Sequence, residues 1–229
     1  YKPEIDLKVE ELLSQMTVEE KLGYIGGIDW MYTKSIDRLG IHRMRMSDGP
    51  QGIGTKGKST AYPATVTLAA TWNENLAYQY GKALGRDCRA RNINVILGPA
   101  VNIYRAPMCG RNFEYMGEDP YLTSRICVGY IKGVQDQGVM ATVKHFVANN
   151  SDYDRNNISN DIDERTLNEI YFPAYKAAIQ EAEVGAIMTS YNLMNGIYTT
   201  ENPWLLKEVL RNQWGFKGLV TVSYTHLRA

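Results

Sequence analysis

Lys144 and His145 stand side by side in the stretch VKHF, at the end of an apolar run that reads as a strand. Strand ends are where α/β sheets and barrels carry their functional groups. A lysine there is costly to bury without a partner. The pair offers two hydrogen-bond donors of different character, or, with a desolvated amine, a Schiff-base nucleophile of the aldolase kind. The plainer reading is a satisfied core histidine beside a snorkelling lysine. Asp48, in SDGPQG, ends another short run, where Gly49 and Pro50 force a tight turn that holds the carboxylate at the rim. Such a carboxylate accepts two hydroxyl hydrogens at once and suits vicinal sugar hydroxyls, although an Asp before Gly-Pro also caps its own turn. Arg111 and Glu114 fall close enough in NIYRAPMCGRNFEYMGEDP to form an ion pair that shapes the loop, or to leave a guanidinium fork for substrate oxygens. Tyr191 and Asn192 follow a later strand, where a phenol either orients a carboxylate or caps the sheet.

Other chemistries find little support. His42, His145 and His226 are scattered without metal-ligand spacing, and no cofactor is implied. Cys88, Cys109 and Cys127 form no C-x-x-C pair and read as packed thiols. With 25 acidic and 25 basic residues interspersed, the surface has no footprint for nucleic acid or an anionic membrane. No run of eighteen apolar residues occurs, and Tyr1 opens no basic-then-apolar leader, so the localisation stays open. Sixteen tyrosines against four phenylalanines suit sugar clefts, but half-buried packing is the more ordinary use of an amphipathic ring.

The elements that would position these groups alternate regularly. Thr17 and Glu20 have capping-box spacing at the head of a helix stopped by Gly26-Gly27. RMRMS is strand-like, YPATVTLAATWN is a second apolar run, and ENLAYQYGKALGRDCRAR is a helix with Leu76, Tyr80, Ala83 and Leu84 on one face. INVILGP, VMATVKHF, AIMTSY and GLVT are further strands, separated by helices that Asp119-Pro120 and Asn202-Pro203 open and that Pro173 kinks or restarts. Apolar strands alternating with amphipathic helices specify an α/β fold with a mainly parallel sheet. No strand leads into G-x-G-x-x-G, so a (β/α)8 TIM-type barrel is preferred to a dinucleotide fold. About six βα units are counted where a full barrel takes about 250 residues, so the barrel is expected to be incomplete.

DGPQG, LAATWN, GPAVNIYRAPMCGRNFEYMGEDPYL, VKHFVANN, DERTLNEIYFPAY, SYNLMNG and NPWLLKEVLRNQWGFKGLV, in this order, resemble the N-terminal domain of glycoside hydrolase family 3. The resemblance implies a barrel followed by an α/β sandwich domain, and retaining, exo-acting hydrolysis of β-linked glycosides. It also implies that Asp48, Arg111, Lys144, His145, Arg155 and Tyr191 bind the non-reducing terminal sugar, with Asp48 accepting and Arg111, Lys144 and His145 donating. KHFVANN lacks the K-H-F-P-G-H-G motif of the hexosaminidase branch, which favours the glucosidase and xylosidase side. Members often carry Arg near the end of the D-G-P turn, where this chain has Gly54.

Retaining hydrolysis needs a carboxylate nucleophile and a carboxylic acid about 5–5.5 Å apart. The family's nucleophile is the Asp of a Ser-Asp-Trp motif directly after the strand matched by GFKGLVT; in register, that place holds Ser223. The expected organisation is therefore a truncated barrel domain over 1–221 and a non-native tail over 222–229, the translation of a sequencing adapter. By itself the chain is expected to lack both the nucleophile and the acid-supplying sandwich domain. The alternative is a non-catalytic carbohydrate-binding homologue with Ser223 as a genuine substitution. Glycan-degrading members are often exported.

Overall fold

The computed structural model describes residues 3–54 and 57–222. Its strands are β1 (Met46–Asp48), β2 (Val95–Leu97), β3 (Met140–Phe146), β4 (Ser159–Asn160), β5 (Ala186–Thr189), β6 (Leu193–Met194), β7 (Ile197–Tyr198) and β8 (Leu219–Thr221). The helices are α1 (Pro3–Gln15), α2 (Val18–Gly26), α3 (Thr65–Ala69), α4 (Glu74–Ala90), α5 (Pro120–Gln135), α6 (Glu164–Thr166) and α7 (Pro173–Gln180), with π-helical turns at Leu167–Tyr171 and Trp204–Gln213. Among the described residues no helix is long and apolar enough to cross a membrane.

β1, β2, β3, β5 and β8 form one parallel sheet in that spatial order, an α/β arrangement that is an incomplete TIM-type barrel. Met46 is in register with Val95, Val95 with Met140, and Ala186 with Leu219. The strands are buried on both sides, and their alternation divides the core. Ile96, Ala141, Val143 and Ile187 pack outward under the helices, whereas Met46, Val95, Leu97 and Met188 form a separate inner cluster. Lys144 is in register with Met188, and so stands on the inner side at the top of β3.

Among the described residues five strands make this sheet, where about six βα units were expected. The run TVTLAA is helical: Thr65, Leu68 and Ala69 are its buried residues, an i, i+3, i+4 pattern that only a helix places on one face. The α4 face is also rotated from expectation. Ala77, Tyr80, Gly81, Leu84, Gly85 and Cys88 are buried, whereas Leu76 is exposed. The cause is the crossing with α5, where an added Cβ on Gly81 would lie 2.1 Å from the Tyr130 carbonyl oxygen, and one on Gly133 2.1 Å from that of Tyr78. Backbone approach this close selects glycine, and a hydrophobicity pattern does not score it.

Capping follows the sequence. Thr17 and Glu20 form the reciprocal box, Asp119 accepts from the Leu122 amide ahead of Pro120, and Pro173 opens α7. Asn202 accepts from the Leu205 amide at the head of the last helix. Cys88, Cys109 and Cys127 are buried free thiols, and burial pushes Cys88 up to about 12. Ser223, and with it all but the first residue of the expected tail, lies outside the described residues.

Candidate active site

Asp48 ends β1, and its carboxylate is fixed by the turn that follows. Gly49 has φ 128°, and an added Cβ would lie 1.4 Å from the Gly52 carbonyl oxygen, so only glycine permits this turn. Tyr130 donates its hydroxyl to the Pro50 carbonyl at 3.0 Å, and the Tyr80 hydroxyl, which donates to the Pro63 carbonyl at 2.9 Å, lies 3.3 Å from the same Pro50 oxygen, so that both tie the turn to α4 and α5. Gly54 closes it by donating from its amide to the Asp48 carbonyl at 2.8 Å. A side chain at Gly54 would begin 3.3 Å from the Asp48 Cβ, so glycine here leaves the carboxylate uncrowded. A cavity of about 360 Å³ opens beside Asp48, with Trp30 and Met31 on its far wall.

β3 delivers the second group. Phe146 anchors its end in an aromatic cluster, 5.1 Å from the Tyr175 ring and 5.8 Å from that of Trp214. Lys144 is almost wholly buried and reaches Asp48 with Nζ 3.3 Å from Oδ1, while Asp48 itself remains 41% exposed. A buried ammonium is tolerable only when paired, and this carboxylate is its partner. His145 is 3% exposed, and Asn102 contacts it through three bonds. Burial pushes the His145 pKa well below its ordinary value, and the neighbouring charges of Arg111, Lys144 and Arg155 add to the shift.

Those same charges show how the loops converge. Arg111 lies in the β2–α5 loop and is bound to the buried carboxylate of Glu114, the ion pair that its spacing allowed. Burial works against the Arg111 charge, but Glu114, with Tyr115 and Asp152, outweighs it and leaves the guanidinium pKa above its ordinary value. Arg155, in the loop after β3, is held by Asp152 at 3.0 Å and lies over the Tyr191 ring at 4.9 Å. Of the six residues singled out in the sequence, Asp48 contacts Lys144 and Arg155 lies on Tyr191, while His145, next to Lys144 in the chain, feels the charges of Arg111 and Arg155. Among the described residues the ring of Tyr191 supports the Arg155 guanidinium.

Four residues that do not stand out in the sequence surround His145. Asn102 is 2% exposed and binds the His145 backbone and ring. Tyr175 donates its hydroxyl to the His145 carbonyl at 2.6 Å. Asn149 donates to the Tyr115 hydroxyl at 2.8 Å, and Tyr115 meets the His145 ring edge-on at 6.5 Å. The one available signal was position, since Asn102 and Asn149 lie in the loops that follow strands β2 and β3. The assembled site presents fixed cationic donors and one accessible carboxylate around a mouth at the strand ends, which suits a neutral, hydroxyl-rich ligand.

The chain is 47% identical over 218 residues to a beta-glucosidase of Rhizobium radiobacter, covering 93% of this chain and 27% of that protein. It is 44% identical to thermostable beta-glucosidase B of Acetivibrio thermocellus, covering 94% of this chain and 30% of that one. The solved structure of beta-glucosidase 3B from Thermotoga neapolitana in complex with glucose superposes with a TM-score of 0.90 at 39% identity, over 94% of this chain and 34% of that chain. The chain thus spans about a third or less of the length of these relatives. The model of the glycosyl hydrolase family 3 N terminal domain matches residues 17–228, and the chain belongs to that family.

Proposed function

We propose that the strand-end cluster holds the terminal sugar of a β-linked glycoside, and that this chain is the sugar-binding part of an exo-acting, retaining β-glycosidase, with a glucoside as the preferred substrate. The observation that carries this reading is the buried Lys144 held on the accessible Asp48. A site of this kind selects hydroxyl-bearing ligands because its own polar groups would stay unpaired against an analogue lacking them. The preference for glucose draws on the relatives, which are named as beta-glucosidases and include a glucose complex.

In this reading the carboxylic acid comes from the further length that the relatives possess, in an α/β sandwich domain. Residues 222–229 are a non-native tail, and Ser223 stands where the aspartate nucleophile belongs. Genomic sequencing past the codon for Thr221, followed by expression of the product, tests both points. The expected product has Asp in place of Ser223 and hydrolyses an aryl β-glucoside, while the 229-residue chain gives background rates. In the longer product Asp48→Ala should lower kcat/KM by roughly tenfold to a hundredfold, the worth of a lost charge-assisted hydrogen bond. Unchanged turnover in that variant would overturn the assignment. A genomic product that retains Ser223, binds glucose and hydrolyses nothing would instead be a carbohydrate-binding homologue.

A further inference from the structure

Asn102 determines which hydrogen-bonding character His145 presents. Its amide orientation is set by two backbone bonds: Oδ1 accepts from the His145 amide at 2.9 Å, and Nδ2 donates to the His145 carbonyl at 2.9 Å. A flipped amide would put a donor against the N–H and an acceptor against the C=O, so the flipped state is excluded. The atom that faces His145 Nδ1 at 3.2 Å is therefore the amide oxygen, which only accepts. Nδ1 must then carry a proton. A second proton on Nε2 would make a buried imidazolium repelled by the positive charges of Arg111, Lys144 and Arg155. The other groups against the ring and its backbone, Tyr115 and Tyr175, bring no compensating negative charge. Among the described residues nothing bonds Nε2.

We infer that Asn102 is a positioning residue that locks His145 in the Nδ1–H tautomer, so that Nε2 meets the ligand as a hydrogen-bond acceptor. This reverses the donor role expected for His145 from the sequence. It gives the pocket two acceptors, Asp48 and His145, opposite the cationic donors Lys144, Arg111 and Arg155. Specificity follows: one ligand hydroxyl must donate to Nε2, and a group that only accepts cannot replace it. The ligand side of this inference rests on the proposed sugar site; the tautomer does not.

The tautomer is read from the free protein. With ¹⁵N-histidine labelling and His42→Gln and His226→Gln, the remaining imidazole is His145, and a two-bond ¹H–¹⁵N correlation spectrum separates protonated from unprotonated ring nitrogens. The expected result near neutral pH is a protonated Nδ1 and an unprotonated Nε2. A protonated Nε2, as the other tautomer or the imidazolium, would overturn the inference. Asn102→Ala should release the lock and give a mixed or Nε2–H spectrum; a folded variant with the wild-type spectrum would also overturn it. Titration with the monofluoro analogues of glucose tests the acceptor role, because fluorine accepts but does not donate. Because Asp48 accepts as well, the analogue that reports on Nε2 is one whose weakening of at least about tenfold relative to glucose, the worth of one well-placed hydrogen bond, persists in Asp48→Asn. Retention of affinity by all of them would contradict an acceptor at Nε2. A spectrum showing the Nδ1–H form together with no binding of any sugar would uphold the lock and defeat the sugar reading instead.

Discussion

Asp48 and Lys144 form an ion pair with unequal surroundings, the lysine 3% and the aspartate 41% exposed. The variants at the two positions should therefore differ. Asp48→Asn leaves a buried ammonium facing a neutral amide and should cost about 1–3 kcal/mol, whereas Lys144→Met replaces the charge with an apolar chain and should cost less. Denaturant midpoints for the two variants check the order. His145 adds a pH dependence. Its folded-state pKa lies well below the ordinary 6.5, so the unfolded chain takes up a proton as pH falls through 6.5 while the folded chain does not. The contribution of His145 is complete above pH 6.5 and is lost on acidification, at up to about 1.4 kcal/mol per pH unit. Stability measured from about pH 7 to about pH 5 should show a shallower slope in His145→Gln than in the wild type. Asp48, Lys144 and His145 were legible in the sequence because a charged or titratable group at the end of an apolar strand stands out. Asn102 was not: an uncharged loop residue carries no periodic signal, and its importance lies in a partner 43 positions away.

α4 and α5 pack backbone to backbone, each through glycines four residues apart: Gly81 and Gly85 lie against Tyr130 and Val134, and Gly129 and Gly133 lie against Tyr78. This contact also carries the tyrosines that pin the Asp48 turn, so packing and site are linked through Tyr80 and Tyr130. Gly133→Ala should destabilise the fold by about 1–3 kcal/mol, since the new methyl would meet backbone that cannot yield. Gly110→Ala, where nothing lies within 4 Å, is the control and should be close to neutral. Thermal unfolding of both variants tests the difference. The caps and strand ends were readable because single residues with defined hydrogen-bonding roles mark them, as Thr17, Asp119 and Pro173 do. α3 was misread because Thr65-Val66-Thr67 has strand-like residue types, and its helical spacing shows only in which residues are buried.

The sheet has unequal ends. Outside β1, Met31 accepts from the Met46 amide at 2.8 Å and Tyr32 bridges Arg45, so that edge is covered. β8 is the other end, and no further strand among the described residues pairs with it. Lys217, just before β8, is ion-paired with Asp6 at 3.0 Å, which brings α1 beside this edge. α1 and α2 bury none of their residues, and Leu7 and Leu22 are 73% and 61% exposed. An open strand edge beside exposed apolar helices favours association. Sedimentation velocity should show concentration-dependent self-association of the 229-residue chain, reduced in Leu7→Glu with Leu22→Glu at unchanged unfolding temperature. The parallel α/β architecture was legible because its alternation of apolar strands and amphipathic helices spans the chain; the exact strand number was not, because a short apolar run fits either element.

The proposed function places a sugar pocket built on Asp48 and Lys144 at the strand ends. Calorimetric titration of the folded 229-residue chain with glucose tests it most directly. Saturable binding that Asp48→Asn weakens at least about tenfold is the expected result; absence of binding, or equal binding by Asp48→Asn, would contradict it.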